Sequence, residues 1–230
     1  MAWNRSEQRP ANLCARVNEV ILSSKHLIEM DLLMDRRVTW CTLALLLAFS
    51  GITAPAFADG AIVGLMSDED REVLAEFDQR RAAAITTATA GPETIAGSTL
   101  EQVLAGQSLS FDEGYDPSGD WRCRYLKLGG DPALKVYGWF SCRIFDDGAG
   151  WVIRKSGGSE RTMGRLYRLS EERLLYLGAL HGPDKAPIWF GEDQSRNQMA
   201  VLTRLDDGRL RLEFPAPLAG SEFDILEFAR

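Results

Sequence analysis

Histidine and cysteine are scarce in this sequence. Its 230 residues include two histidines and four cysteines, and beyond position 58 only His181, Cys123 and Cys142 remain. No Gly-x-Ser-x-Gly motif is present, and the cysteines are too far apart for a Cys-x-x-Cys motif. A serine triad needs a base with its orienting partner, and a structural zinc site needs four ligands. The composition therefore argues against a triad hydrolase, a zinc protein and a dithiol redox enzyme.

Basic residues are also fewer than acidic residues in this sequence. Lysine and arginine number 26 against 33 aspartate and glutamate residues, for a net charge of −7. Proteins that bind nucleic acid need a basic footprint for the phosphates. We therefore expect no nucleic-acid partner. The sequence has neither internal repeats nor low-complexity tracts.

An apolar segment near the N-terminus has the features of a secretory signal peptide. Arg36 and Arg37 precede the nearly charge-free run 38–58, which ends in Ala-Phe-Ala. A basic start, a short apolar middle and an A-x-A end predict cleavage between Ala58 and Asp59. The alternative is an uncleaved anchor, since about 20 apolar residues can span a bilayer.

The domain organisation follows from this segment. We interpret residues 1–33 as an upstream extension from a misplaced gene start and residues 34–58 as the signal peptide. Residues 59–230 then form one domain, with a helical segment, 59–110, before a barrel-like region, 111–230. This predicts a periplasmic protein with no stable membrane anchor after cleavage.

Cys123 and Cys142 are the only cysteines after the predicted cleavage site. Two cysteines in an oxidising compartment are expected to pair. A disulfide that closes a loop of about 20 residues stabilises by roughly 3 kcal/mol in the chain-entropy description.

The predicted helices lie before residue 110. Residues 67–88 have helical periodicity, and Ser67 with Asp70 resembles a capping box. Val73, Phe77 and other apolar residues form one stripe. Ser98 is predicted to cap a second helix over 99–105.

After Ser110 the period changes to two residues. The predicted strands are 119–128, 134–145, 150–156, 161–169, 173–180, 187–191, 198–205, 208–214 and 222–229. Glycine, proline and aspartate mark the turns between them. The pattern predicts a mainly β, α+β fold, in which N-terminal helices pack on a small antiparallel barrel or strongly curled sheet of roughly eight strands.

The cysteines suggest a register for the first hairpin. If Cys123 lies opposite Cys142, Tyr125 lies opposite Phe140 and Trp121 opposite Ile144, all on one apolar face. The other face then carries Arg122 opposite Arg143, and Arg124 opposite Ser141. Both faces and the disulfide agree with this register.

Four segments together resemble a known family. These are GDWRCRYLKLGG (119–130), VYGWFSCRIF (136–145), GSERTMGRLY (158–167) and RLEFP (211–215). The sequence over 68–229 is similar to domain-of-unknown-function family 4893, small exported proteins of Gram-negative bacteria. The resemblance implies export and a disulfide, but no reaction and no catalytic residues.

Gly119-x-Trp121 also resembles the first strand of lipocalin-like and avidin-like barrels. In those barrels an arginine of a late strand packs on the tryptophan, and Arg204 or Arg211 could do so here by a cation–π contact. The alternative is that Trp121 is ordinary core. The barrel is short, so its interior could be hollow or filled with side chains.

Arginines concentrate on the predicted strands. The candidate binding residues are Arg122, Arg124, Arg143, Arg161 and Arg165. Like charges that face each other are unfavourable unless acids or an anion intervene. These arginines could hold an anionic ligand or acidic partner, or they could form a solvated face paired with nearby acids.

The acidic residues do not define a catalytic pair. Asp-Asp-Gly at 146–148 and at 206–208 has the composition of a hairpin turn and does not match a calcium loop. We expect no metal and no cofactor. The leading hypothesis is a non-catalytic binding module of the cell envelope that takes a small ligand in a barrel mouth. The alternatives are an interaction or inhibitor module that uses the arginine-bearing face, and a carboxylate-dependent hydrolase.

Overall fold

The computed structural model describes residues 64–112, 114–218 and 220–230. The upstream extension, the signal peptide and its cleavage site between Ala58 and Asp59 lie outside these residues and stay predictions. None of the described helices is long and apolar enough to cross a membrane.

The described helices are α1 (Asp68–Ala75), α2 (Phe77–Thr89) and α3 (Ile95–Leu104). Ser67 and Asp70 form the predicted capping box at the start of α1. The single helix predicted over 67–88 is wrong, because the chain turns at Glu76. The turn lets Val73 and Phe77 pack in two different clusters on the curved barrel wall.

The start of α3 also differs from the prediction. Thr94 caps the helix, and its hydroxyl oxygen accepts a hydrogen bond from the Gly97 N–H. Ser98 is already inside the helix, where its hydroxyl donates back to the Thr94 carbonyl. Leu100 and Val103 are the residues of α3 buried against the sheet.

The strands are β1 (Gly119–Leu128), β2 (Leu134–Val136), β3 (Phe140–Asp146), β4 (Trp151–Lys155), β5 (Arg161–Arg168), β6 (Arg173–His181), β7 (Asn197–Asp206), β8 (Arg209–Phe214) and β9 (Phe223–Ala229). Neighbours from β3 to β9 pair antiparallel, and β1 pairs with both β3 and β9. The ring is therefore a closed eight-stranded barrel, and β2 is an extra strand beside the second half of β1. The predicted fold class is confirmed.

Two predicted strands differ from the structure. The run 134–145 is divided, because β2 and β3 pair with β1 one residue out of step and 137–139 bulge from the ladder. The run 187–191 is not a strand. It lies on the outer wall, where the Arg165 guanidinium is 5.4 Å from the ring centroid of Trp189.

The disulfide between Cys123 and Cys142 is present, with 5.8 Å between the Cα atoms. The predicted hairpin register is wrong by two residues, since Cys123 lies opposite Phe140 and Cys142 opposite Trp121. The bond therefore joins diagonal positions. A shift of two keeps every side chain on its face, so the predicted apolar face is correct although its opposing pairs are not.

The shifted register also changes the partners of the arginines. Arg122 lies opposite Ser141, not Arg143. Arg124 lies opposite Glu227 on β9, and its Nε donates to that carboxylate at 2.6 Å. The predicted like-charge pair of Arg122 and Arg143 is therefore absent from the ladder.

Packed side chains fill the barrel. Tyr176 is fully buried, and its ring lies against Gly178 and Gly164, which face each other across β5 and β6. A Cβ at either glycine would lie less than 3 Å from backbone or ring atoms. Phe214 contacts the Tyr176 ring edge-on at a centroid distance of 6.0 Å. The interior therefore has no deep central pocket of the lipocalin kind in the described chain.

Candidate functional site

The end of the barrel where β1 begins is closed by aromatic rings. The Arg230 guanidinium lies 4.2 Å from the ring centroid of Trp121, and the Trp121 indole donates to the Pro117 carbonyl at 2.8 Å. The Arg204 guanidinium lies 3.8 Å from the ring centroid of Tyr115. We call this the closed end.

The prediction that Arg204 or Arg211 packs on Trp121 is wrong. Arg204 packs on Tyr115, which arrives from the segment before β1. Arg211 faces outward on β8, where it donates to the carbonyls of Val103 and Leu104 and pairs with Glu213 at 3.0 Å. Barrel closure brings the residue after β9, Arg230, beside Trp121 instead.

The opposite end, here the polar end, buries charge. Lys127 and Asp224 lie opposite each other on β1 and β9, both on the inward face. The Lys127 Nζ is 3.4 Å from an Asp224 carboxylate oxygen and 3.1 Å from one of Glu160. One ammonium thus bridges two carboxylates.

The two partners of this bridge have their pKa values raised for different reasons. Burial raises the pKa of Asp224 to about 6, against a hydrogen bond from Ser221 and the charge of Lys127. Burial acts to lower the pKa of Lys127, but the carboxylates of Asp224 and Glu160 outweigh it and the net shift is upward. The pKa of Lys127 rises because two carboxylates lie beside its ammonium group. The pKa of Asp224 rises because the burial of its carboxyl group outweighs the charge of the one lysine that it shares with Glu160.

Lys155 is the second buried amine of the polar end. Its Nζ donates to the carbonyls of Gly157 and Glu160, both at 2.6 Å. The Nζ also lies 4.4 Å from the ring centroid of Phe140 and 5.3 Å from that of Tyr125. Burial lowers the pKa of Lys155 to about 8. Through these two hydrogen bonds, Lys155 holds the β4–β5 turn in place at the polar end.

Two cavities flank Glu160 at this end. The smaller, of about 60 Å³, lies among Tyr125, Lys127 and Lys155. The larger, of about 280 Å³, is lined by Ser159, Glu160, Leu180, His181, Gly182, Lys185 and Arg196. The smaller has room for about one or two water molecules, whereas the larger can hold a small ligand.

His181 is the buried polar group beside the larger cavity. It is 5% exposed, and its Nδ1 lies 3.1 Å from the Gly182 carbonyl oxygen. Because that oxygen can only accept, the neutral ring carries its proton on Nδ1, and Nε2 becomes an acceptor. Nε2 has no partner among the described residues. An unpaired buried acceptor is costly unless something else supplies a donor.

A cavity of about 660 Å³ lies elsewhere, on the outer wall beside α1. Its lining mixes small polar residues with apolar ones such as Met66, Phe190 and Leu218. The acids that line it, Glu69 and Asp70, belong to the first turn of α1, where they favour helix formation. It holds no convergent charged set, and we do not place the site there.

The candidate binding arginines fall in three places. Arg122, Arg124 and Arg143 lie on the outer wall of β1 and β3. Arg161 lies at the polar end, where it donates to the carbonyls of Gly158 and Pro183. Arg165 pairs with Asp147, and its hydrogen bonds lower the pKa of Asp147 to about 2.

Sequence reasoning missed the polar end, although the strands hold a signal for it. Lys127 shares the inward phase of Trp121 and Cys123, and Asp224 shares that of Phe228. Lys155 lies opposite Cys142. A charged residue in the apolar phase of a predicted strand is the sign of buried charge. His181 gave no such signal, since it is the last residue of β6 and the cavity beside it is lined by residues from separate segments of the chain.

The fold and site define a class: a small, closed, side-chain-filled antiparallel barrel with one aromatic end and one polar end. Residues 63–228 match the family described as Domain of unknown function (DUF4893), and the chain belongs to that family. The resemblance noted from the sequence is thereby confirmed. No curated protein and no solved structure matches the chain.

Proposed function

We propose that this protein is a non-catalytic binding module of the cell envelope that takes a small acidic ligand at the polar end. The observation that carries the proposal is the cavity of about 280 Å³ lined by Lys185, Arg196 and the buried His181. Lysine and arginine donate strong, charge-assisted hydrogen bonds to carboxylates and phosphates. Glu160 is the one acid in that lining.

The histidine refines the ligand class. Nε2 of His181, as an acceptor, would take a hydrogen bond from a hydroxyl of the ligand. A molecule that carries both an acid group and a hydroxyl satisfies the cations and His181 together. Hydroxycarboxylates and hydrogen phosphate have this chemistry.

The cellular location in the proposal has two supports. The run 38–58 has the pattern of a cleaved signal peptide. The disulfide between Cys123 and Cys142 is a bond that persists in oxidising compartments.

A carboxylate-dependent hydrolase is less well supported. Asp224 and Glu160 are close enough to share Lys127. Asp224, however, is not among the residues that line either cavity at the polar end. A glycosidase pair has to flank its substrate, so we favour binding over hydrolysis.

Calorimetric titration with citrate and with inorganic phosphate tests the proposal. We expect binding to the wild type and a loss of roughly tenfold or more in affinity in Lys185→Gln/Arg196→Gln. Arg80→Gln/Arg209→Gln removes two positive charges away from the polar end, so it is the matched control and should bind like the wild type. Native mass spectrometry of the protein isolated from the periplasm reports a bound ligand directly. A bare polypeptide mass together with no heat from either probe would refute the proposal.

A further inference from the structure

The helices cover only part of the outer barrel wall. α2 and α3 pack over the second half of β1 and over β9, and α1 packs over β6 and β7. No described helix packs on the outer faces of β3 and β4 or on the first half of β1. Three exposed arginines lie on this uncovered wall: Arg122, Arg143 and Arg154.

We infer that this wall is a docking surface for an acidic segment of a partner protein. Its residues are Arg122, Trp139, Arg143 and Arg154, here called the arginine face. Arg143 lies directly opposite Arg154 in the β3–β4 ladder, and all three arginines are exposed. Asp120 is the acid within 4 Å of Arg143, at 3.9 Å, and is itself 89% exposed.

The opposed arginines are a cost to the isolated protein. Like charges directly across a ladder destabilise the sheet, and an exposed pair such as Arg143 with Asp120 offsets little of that. No ion pair to Arg154 or Arg122 is found within the described chain. A bound carboxylate between Arg143 and Arg154 would turn the repulsion into two attractive contacts.

The ring of Trp139 holds the guanidiniums of Arg122 and Arg124 in place. The bulge at 137–139 turns the indole outward, where it is 37% exposed. The guanidiniums of Arg122 and Arg124 lie 4.9 and 4.4 Å from its ring centroid. Stacking fixes a guanidinium before a partner arrives, which lowers the entropic cost of binding. Arginine and tryptophan also dominate the energetics of protein interfaces.

Charge favours a polypeptide partner over a membrane. The whole chain carries a net charge of −7, so an extended anionic bilayer would repel most of its surface. Arginines cover the exposed ring of Trp139, which leaves it poorly placed to insert among lipids. A short acidic segment contacts the arginine face alone. Glutamate and aspartate side chains match the fork of donors on a guanidinium.

The test uses fluorescence anisotropy with a labelled peptide of alternating glutamate and serine. We expect the wild type to bind, with affinity that falls as salt increases, and Arg143→Glu/Arg154→Glu to lose roughly tenfold or more in affinity. The control Arg80→Glu/Arg209→Glu makes the same change in charge away from the arginine face and should keep most of the binding. The single variant Arg154→Glu should bind less peptide yet melt at a higher temperature, because it replaces a repulsion with an attraction.

Three results would overturn the inference. Peptide binding could be equal in the double variant and its control, or Arg154→Glu could melt below the wild type. Binding could also go to vesicles of phosphatidylcholine and phosphatidylglycerol and not to the peptide, which would assign the face to lipid. Citrate binding, measured on the same variants, should stay at the wild-type level, so this inference and the proposed function fail separately.

Discussion

At the closed end of the barrel, cations lie over ring faces: Arg230 over Trp121 and Arg204 over Tyr115. At the polar end, cations lie inside the wall, where Lys127 meets two carboxylates and Lys155 meets two carbonyls. Both ends use inward positions of β1, with Trp121 at the closed end and Lys127 at the polar end. At the closed end the guanidiniums contact ring faces, and this contact costs little free energy. The arrangement at the polar end forces charge into a poorly solvated space.

The pKa values reflect this difference. Asp224 and Lys155 at the polar end are shifted by burial toward their neutral forms. Groups with pKa values shifted in this way cluster at functional sites, and they also occur in structural ion-pair networks. The closed end is therefore expected to contribute mainly stability, and the polar end to give up stability for binding.

The largest expected effect is at the closed end. Trp121→Ala removes a buried ring that packs edge-on against Phe228, with centroids 6.2 Å apart. Such a truncation costs about 3–5 kcal/mol, which urea unfolding measures. Citrate binding in the folded fraction should be unchanged, so an altered citrate affinity would break the separation of the two ends.

The disulfide is next in size. Its cysteines are 19 residues apart, so Cys123→Ser should lower the free energy of unfolding by about 3 kcal/mol. Thermal melting of the oxidised wild type, the reduced wild type and the variant makes the comparison. Equal melting of oxidised and reduced wild type would contradict a structural bridge.

Lys155 tests the buried charge of the polar end. Its folded pKa, about 8, is below the ordinary value of 10.5. Between those values the unfolded chain binds more protons than the folded protein, so the contribution of Lys155 to stability rises with pH. The wild type should gain about 1–2 kcal/mol relative to Lys155→Met between pH 8 and 9.5. Parallel pH profiles for the wild type and Lys155→Met would mean that this amine is not desolvated; Lys185→Met, an exposed lysine, serves as the control.

The smallest effect belongs to Arg230. Arg230→Ala removes the guanidinium over Trp121 and its hydrogen bonds to the carbonyls of Asp207 and Ser118. A loss of about 1 kcal/mol is expected from a partly exposed cation–π contact. The matched variant Arg230→Lys should recover part of this in urea unfolding. If Arg230→Ala lowers the free energy of unfolding as much as Trp121→Ala does, the guanidinium is required for the packing of the core and contributes more than a surface contact with Trp121.

The sequence predicted the parts of the fold that depend on local pattern. Alternation in RLRLEF over 209–214 and in 119–128 marks strands, and Ser67 with Asp70 marks a helix start. It missed features set by distant contacts. The hairpin register moved by two because a disulfide can join diagonal as well as opposed positions, and alternation cannot tell them apart.

Most of the candidate site could not be predicted, because its members are distant in sequence. Glu160 and Asp224 meet at Lys127 only after the ring closes. The segment 187–191 was wrongly predicted to be a strand for a similar reason. Its apolar residues resemble a strand, yet Trp189 covers Arg165 on the outer wall. An apolar run that packs on the outer wall and an apolar run that pairs as a strand have the same local pattern in the sequence.

The pairing of β1 with β9 has a consequence for the order of folding. Cys123 lies opposite Phe228, so the seam of the ring joins segments about as far apart in the sequence as the barrel allows. Long-range pairing forms slowly, because the loop must be closed before its contacts reward it. Cys123 and Cys142 lie on neighbouring strands and can be oxidised before β9 exists. During synthesis the polar end has no Asp224 until β9 is made, so this charge cluster forms after the other strands of the barrel.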